Sequence, residues 1–243
     1  VKILSMELFY NPTLTEATKS IQLDVQESGH LAKVLRKKEG DLICLTNGKG
    51  LEWKGKLTLV NPRACEVLCK HVKTHNKPKF KLHLAVAPTK NIQRLEWVLE
   101  KATEIGVTHF TPMLCEHAER KVIKPERLEK IIITAMKQSQ QFYLPHLNPL
   151  TSFEEVLVSD PKTKFIAHCK AGSKVLLDAV QLPKDCVETS ILIGPEGDFS
   201  KEEIQMALDK DFQAVQLSKN RLRTETAALM AAHSLLIKLN KQL

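Results

Sequence analysis

The sequence predicts an α/β protein in two parts: a small β-rich domain over residues 1–72, then a linker over 73–79 and a larger domain over 80–243 built on a parallel sheet. Three observations carry this reading. The hydrophobic pattern changes near residue 80, from closely spaced strand-like runs to strands that alternate with amphipathic helices. Charge is uneven too: residues 1–79 hold 14 lysines and arginines against 8 acids, net +6, while residues 80–243 hold 22 against 20, net +2. Finally, ILIGPEGDFSKEEI and LSKNRLRTETAALMAAHSLL, near the C-terminus, each read as a strand that stops at a tight turn and enters a helix.

In chain order, SGHLAKVLRKKEG reads as a short amphipathic helix ended at Gly40. DLICLTN, LEWKGKLTLV and ACEVLCKHV follow as three strand-like runs, the first two joined by the turn Asn47 to Gly50, which suggests a small β-barrel. KTHNKPK is polar, basic and proline-bearing, as a linker would be. FKLHLAVAP, then IQRLEWVLEKATEIG with Leu95, Val98, Leu99 and Ala102 on one face and Gly106 as its stop, then THFTPML, form a β-α-β unit and hence a parallel pair. A helix over 125–141, strands at KFIAHCK, ETSILIG and FQAVQL, and a helix from Thr226 to Leu239 complete the pattern. That last helix is apolar nearly all round, which predicts burial on every side, in a core or against a partner chain.

Several function classes drop out. There is no run of about 18 apolar residues for a membrane span and no leader pattern in VKILSMELFY, so a cytosolic protein with no membrane association is expected. Six cysteines, at 44, 65, 69, 115, 169 and 186, are scattered without a C-x-x-C pair or a histidine at ligand spacing, so they read as small buried hydrophobes and no metal is expected. Neither phosphate-binding glycine motif, G-x-x-x-x-G-K-[ST] or G-x-G-x-x-G, is present.

The two C-terminal turns carry more than local structure needs. Gly194 and Gly197 free the backbone for positive φ or a close approach, Pro195 fixes φ between them, and Ser200 with Glu203 makes a capping box. Glu196, a charge between the glycines, is left over for a polar ligand. In the second stretch Thr224 is a plausible N-cap and Glu225 suits the helix dipole, whereas Arg221 and Arg223 oppose it and suggest an anionic partner. Loops at the carboxyl ends of parallel strands border one ligand site.

These strings, IGPEGDFS followed by LSKNRLRTETA, resemble the RsmE family of ribosomal RNA uridine-N3 methyltransferases in the knotted SPOUT superfamily, whose pattern is roughly IGPEGGFS and LGxRILRTETA. The match holds at Gly194, Pro195, Glu196, Gly197, Leu222, Arg223, Thr224, Glu225 and Thr226. It departs at Asp198, Ser218, Asn220 and Arg221, where that family has Gly, Gly, Arg and Ile. HLAKVLRKKEGD resembles the family's H-x-x-x-VLR-x-x-x-GD at His30, Arg36, Gly40 and Asp41; AMKQSQQFYLP keeps Gln138, Ser139 and Pro145 of its A-x-x-QSGR-x-x-xP but has Gln140 and Gln141 for Gly-Arg. Glu119 and Arg120 fall near its Ser-Glu-Arg segment, and His168 matches the histidine of its L-H-P segment.

The resemblance implies a PUA-like RNA-binding domain, a SPOUT domain with a trefoil knot, and a homodimer packed through the last helix. It also implies methyl transfer from S-adenosylmethionine to uridine N3 in 16S ribosomal RNA, free or in the small ribosomal subunit. Ile193, Gly194, Glu196, Gly197, Leu217, Ser218, Leu222 and Arg223, with His168 beside them, would hold the cofactor. Arg223 would orient RNA phosphate or stabilise the uridine anion, and Glu225 is the candidate general base, weakened by the helix N-terminus. Arg36, Lys37, Lys38, Gln138 and Arg120 would contact RNA. Three other readings stay open: a catalytically inactive RNA-binding SPOUT protein, an anion nest for a nucleotide phosphate, and a methyltransferase acting on transfer RNA or a small molecule.

Overall fold

The computed structural model describes residues 6–158, 161 and 163–241. The opening VKILS, on which the expectation about a leader partly rests, lies outside them. The chain divides into two compact units, Val1–Lys77 with Met136–Leu144, and Pro78–Ala135 with Pro145–Leu243.

The N-terminal unit holds strands β1 (Leu8–Tyr10), β2 (Ser20–Gln22), β3 (Leu42–Thr46), β4 (Leu51–Leu59) and β5 (Glu66–Thr74), in one sheet ordered β1-β3-β4-β5-β2. Among the described residues of this sheet, only β1 and β3 pair in parallel. Phe9, Leu31, Ile43, Leu45, Trp53 and Val67 fill its core. The helix expected up to Gly40 is shorter and starts earlier. It runs as α1 (Val25–Gly29), capped by Asp24, and continues as a turn of π-helix over His30–Val34. Arg36 then takes φ 52°, and Lys37 N donates to Leu31 O at 3.0 Å, the closing bond of a left-handed helix end. Strand β5 also reaches Thr74, inside the expected linker.

Residues 136–144, expected in the C-terminal domain, cluster with the N-terminal unit instead. Gly50 N donates to Phe142 O and Leu144 N to Gly48 O, both at 2.8 Å. The Phe142 ring stacks on His75 at 4.1 Å, and the Tyr143 hydroxyl donates to His75 O at 2.8 Å. Gly50, at φ 97°, lies so close that an added Cβ would run into the Tyr143 hydroxyl. The glycine is needed by this packing as well as by the turn.

The C-terminal unit is a sheet of parallel strands with helices packed against it. Its elements are β6 (Lys81–Val86), α2 (Ile92–Ile105), β7 (His109–Leu114), α3 (Pro125–Gln138, whose end crosses into the other unit), β8 (His146–Leu147), β9 (Thr151–Ser152), α4 (Phe153–Val158), β10 (Thr163–Ala167), β11 (Val175–Leu176), β12 (Glu188–Ile193), α5 (Lys201–Asp209), β13 (Gln213–Gln216) and α6 (Thr224–Asn240). The strand order is β11-β13-β10-β12-β6-β7-β8, with β9 also on β7. Every pairing in this sheet is parallel. The unit is therefore α/β, and the carboxyl ends of β10, β12 and β13 lie side by side at one edge of the sheet.

Some expected boundaries shift. Helix α2 ends as expected at Gly106, which takes φ 104°. Helix α3 ends at Gln138 and not at 141, because Gln140 turns left-handed at φ 57°. Strand β10 stops at Ala167, which leaves His168 in the loop beyond it. Helix α6 begins two residues early, so Arg223 and not Thr224 is its N-cap residue. It packs on α2, β6 and β12, but it is not buried all round: Met230 and Ile237 are exposed. Among the cysteines, 44, 65 and 115 are buried, whereas Cys169 is exposed.

No helix among the described residues is long and apolar enough to cross a membrane. No group of three or more potential metal ligands occurs among them either.

Candidate active site

The loops that leave β10, β12 and β13 meet around two adjoining cavities. One, of about 370 Å³, is lined by His168, Lys174, Gln216, Leu217, Ser218 and Arg221, among others. The second, of about 340 Å³, is lined by Ile193, Gly194, Glu196, Asp198, Arg223 and Thr224, among others. Ala167, Cys169, Arg221, Leu222 and Ala227 border both, so the two share a wall. The sheet dictates this meeting, since parallel neighbours release their loops on the same side.

The turn after β12 is fixed on several sides. Asp198 N donates to Pro195 O at 2.9 Å, closing a tight turn over Glu196 and Gly197. Neither Gly194 nor Gly197 has positive φ; packing requires them. A Cβ on Gly194 would sit 3.1 Å from the Phe199 ring, and one on Gly197 would sit 3.0 Å from His117 Cβ. Positive φ falls on Asp198, at 64°. Its own carboxylate supports that conformation, with Oδ1 accepting from Phe199 N at 2.9 Å and Oδ2 from Cys169 N at 2.8 Å. Ser200 and Glu203 form the expected capping box, and the second Glu203 oxygen accepts from Glu116 N at 2.8 Å. Glu196 does not face the cavities alone: its Oε1 accepts from Lys90 N at 3.1 Å.

The second loop is tied to the first. Thr224 Oγ1 donates to Gly194 O at 3.2 Å. Ser218 takes no positive φ, so a serine is unstrained there; its Oγ accepts from Asn220 N at 3.1 Å. Arg221 and Arg223 are exposed, and among the described residues no ion pair engages either. Two cations at the rim of adjoining cavities leave a field that favours an anion.

His168 is 8% exposed, and its Nδ1 is buried without a hydrogen-bond partner. Burial, then the Lys174 cation, holds its pKa below the usual imidazole range, so the ring is neutral near pH 7. A neutral ring with an unused nitrogen at a cavity wall is ready to bond a polar ligand.

Other expected residues stand elsewhere. Gly197 supports the turn without lining either cavity, and Glu225 lines neither cavity, its Oε1 lying 3.6 Å from Arg94 Nε on α2 and its Oε2 buried without a hydrogen-bond partner. Arg120 lines neither cavity; its guanidinium bonds the carbonyls of Thr89 and Lys90. Arg36, Lys37, Lys38 and Gln138 belong to the N-terminal unit, where Arg36, Lys38 and Gln138 are exposed and Lys37 lies 3.8 Å from Glu7. Lys174, Asp198 and Cys169 were not among the expected site residues. Cys169 and Asp198 have no local signal, since the bond that joins them spans 29 positions.

Comparison with known proteins decides the family. A family model for an RNA methyltransferase domain matches residues 75–236, and one for an RNA methyltransferase PUA domain matches residues 23–68. A Synechocystis protein named ribosomal RNA small subunit methyltransferase E is 31% identical over 90% of this chain and 72% of its own. The chain belongs to the ribosomal RNA small subunit methyltransferase E family. Solved structures agree with this membership. A probable rRNA-methyltransferase from Porphyromonas gingivalis is 35% identical, with a TM-score of 0.89 over 98% of this chain and 100% of its own. A Legionella pneumophila protein described as a candidate methyltransferase and solved with bound S-adenosylmethionine is 30% identical, with a TM-score of 0.84 over 95% of this chain and 96% of its own. In the methyltransferase E family, then, this chain keeps the GPEG and RTETA loops side by side at one sheet edge.

Proposed function

We propose that this protein transfers a methyl group from S-adenosylmethionine to N3 of a uridine in small-subunit ribosomal RNA. The observation that carries the reading is the meeting of the 168–174, 194–198 and 217–223 loops around adjoining cavities in a chain of this family. The names of its relatives supply the substrate class, and the uridine and its N3 are our own specification.

The cavities fit the cofactor in chemical character. His168 offers an unpartnered buried nitrogen, and Ile193, Leu217 and Leu222 offer apolar wall. These residues, with Ser218 and the backbone at Gly194 and Glu196, would hold it. When bound, S-adenosylmethionine supplies a methyl group already activated on a sulfonium, so the protein's task is alignment and charge control. Arg223, assisted by Arg221, would hold the RNA phosphate or the negative charge left on the uridine when its N3 proton passes to solvent water. Glu225 is assigned no proton transfer, because it lines neither cavity. The basic N-terminal unit would hold the RNA backbone through Arg36, Lys37 and Lys38.

A cytoplasmic location, a knotted C-terminal thread and a homodimer through the exposed Met230–Ile237 side of α6 belong to the same proposal. The test is methylation of small subunits, naked small-subunit RNA and transfer RNA with labelled cofactor, followed by mapping of the modified base. Label on N3 of one uridine in the small-subunit RNA is expected. Label confined to transfer RNA, or cofactor binding without turnover on any RNA, would replace this reading with one of its rivals.

A further inference from the structure

Arg120 is engaged by backbone rather than by charge. Its Nε donates to Thr89 O at 3.2 Å and its Nη2 to Lys90 O at 2.8 Å, so the guanidinium spans two consecutive carbonyls of the loop between β6 and α2. The amide of Lys90 in turn donates to Glu196 Oε1 at 3.1 Å, and Glu196 lines the 340 Å³ cavity. Another residue of the same 115–120 segment reaches that turn, His117 Nδ1 donating to Asp198 O at 3.0 Å, while Glu116 N donates to Glu203 at 2.8 Å in the first turn of α5, the helix that follows it. The adjacent Lys90–Glu119 ion pair is exposed at both ends and contributes little.

We infer that Arg120 is a positioning residue for the turn at Gly194–Asp198 and not an RNA contact; this rests on the proposed cofactor role of that turn. A guanidinium presents its donors in a rigid plane, so one side chain fixes two carbonyls at once. That fixes the Thr89–Lys90 backbone, aims the Lys90 N–H at Glu196 and holds the Glu196 side chain to one position at the cavity wall. A lysine carries the same charge but cannot span the pair.

Calorimetric titration with S-adenosylmethionine, and RNA binding across a salt series, should be run on the parent, Arg120→Ala, Arg120→Lys, Glu196→Ala and the double variant Arg120→Ala/Glu196→Ala. Both Arg120 variants should bind cofactor about tenfold more weakly. RNA affinity and its salt slope should match the parent. Adding Arg120→Ala to Glu196→Ala should weaken cofactor binding little further, since both break one chain of hydrogen bonds. Should Arg120→Ala fail to fold, Arg120→Lys carries the comparison, because it keeps the stem and the charge. Parent-like cofactor affinity in Arg120→Lys, or a flattened RNA salt slope, would overturn the inference alone. A parent that binds no S-adenosylmethionine would overturn it together with the cofactor reading.

Discussion

The Thr224 hydroxyl donates to the Gly194 carbonyl at 3.2 Å, joining the first residue of α6 to the residue that follows β12 across 30 positions of sequence. Thr224 is buried, so the bond is shielded from water. Thr224→Val keeps the shape and removes the donor, leaving a carbonyl short of this partner. A loss of about 1–2 kcal/mol in stability is expected. Cofactor affinity should fall with it, because both cavity walls move. Urea titration and calorimetry on the one variant check both effects; an affinity loss without a stability loss would mean that the hydroxyl serves the ligand directly.

Gly197 tests whether packing or ligand approach demands a glycine. A Cβ there would stand 3.0 Å from His117 Cβ. Gly197→Ala should cost about 1 kcal/mol by crowding. In the double variant Gly197→Ala/His117→Gly the cost should be smaller than the sum of the two single changes. Strict additivity in thermal melts would place the conflict elsewhere.

Acid should weaken the C-terminal unit through His83. This ring is buried between Ser190 Oγ, 3.0 Å from its Nδ1, and Thr111 Oγ1, 2.7 Å from its Nε2. Burial, then the His109 and Lys81 charges, lowers its pKa to about 4 from 6.5. The unfolded chain therefore binds a proton that the folded chain refuses across that window. Stability is complete above about pH 6.5, falls as pH drops and levels off below about pH 4, by about 3 kcal/mol at most from this residue. Urea midpoints at pH 7 and pH 4.5 should differ less in His83→Gln than in the parent.

RNA affinity and turnover should separate. Lys37→Ala and Lys38→Ala, with Arg36→Asn chosen because asparagine tolerates the left-handed φ of 52°, should weaken RNA binding uniformly. The salt slope should fall by roughly 0.7–0.9 for each phosphate that is no longer neutralised. Arg223→Ala should instead lower single-turnover methylation more than RNA affinity. Equal effects of the two sets on both measurements would contradict the division.

The paired loops and the β6–α2–β7 unit are legible in the sequence because their signals are local: apolar spacing, a capping box, a glycine stop. The departures from the family pattern are also explained locally once backbone angles are known. Asp198 and Gln140 stand where the family has glycine, and both take positive φ, at 64° and 57°. Asp198 offsets part of that strain with its own two hydrogen bonds. The sequence cannot show that Arg94, from another helix, lies beside Glu225. The backbone partners of Arg120 are not legible for a similar reason: Thr89 and Lys90 stand 31 and 30 positions away, and no spacing rule announces them.

Because residues 136–144 complete the N-terminal unit, that unit is finished late in synthesis. A nascent chain emerging N-terminus first would present its five-stranded sheet with the notch at Gly48 and Gly50 still open, and only after the ribosome has passed residue 144 could Phe142 and Tyr143 close it. Folding order is thus interleaved: the first module to appear waits for a segment carried by the second. A fragment cut at residue 79 would lack this closing segment permanently, so the N-terminal module is better excised with residues 136–144 tethered back than as a simple truncation.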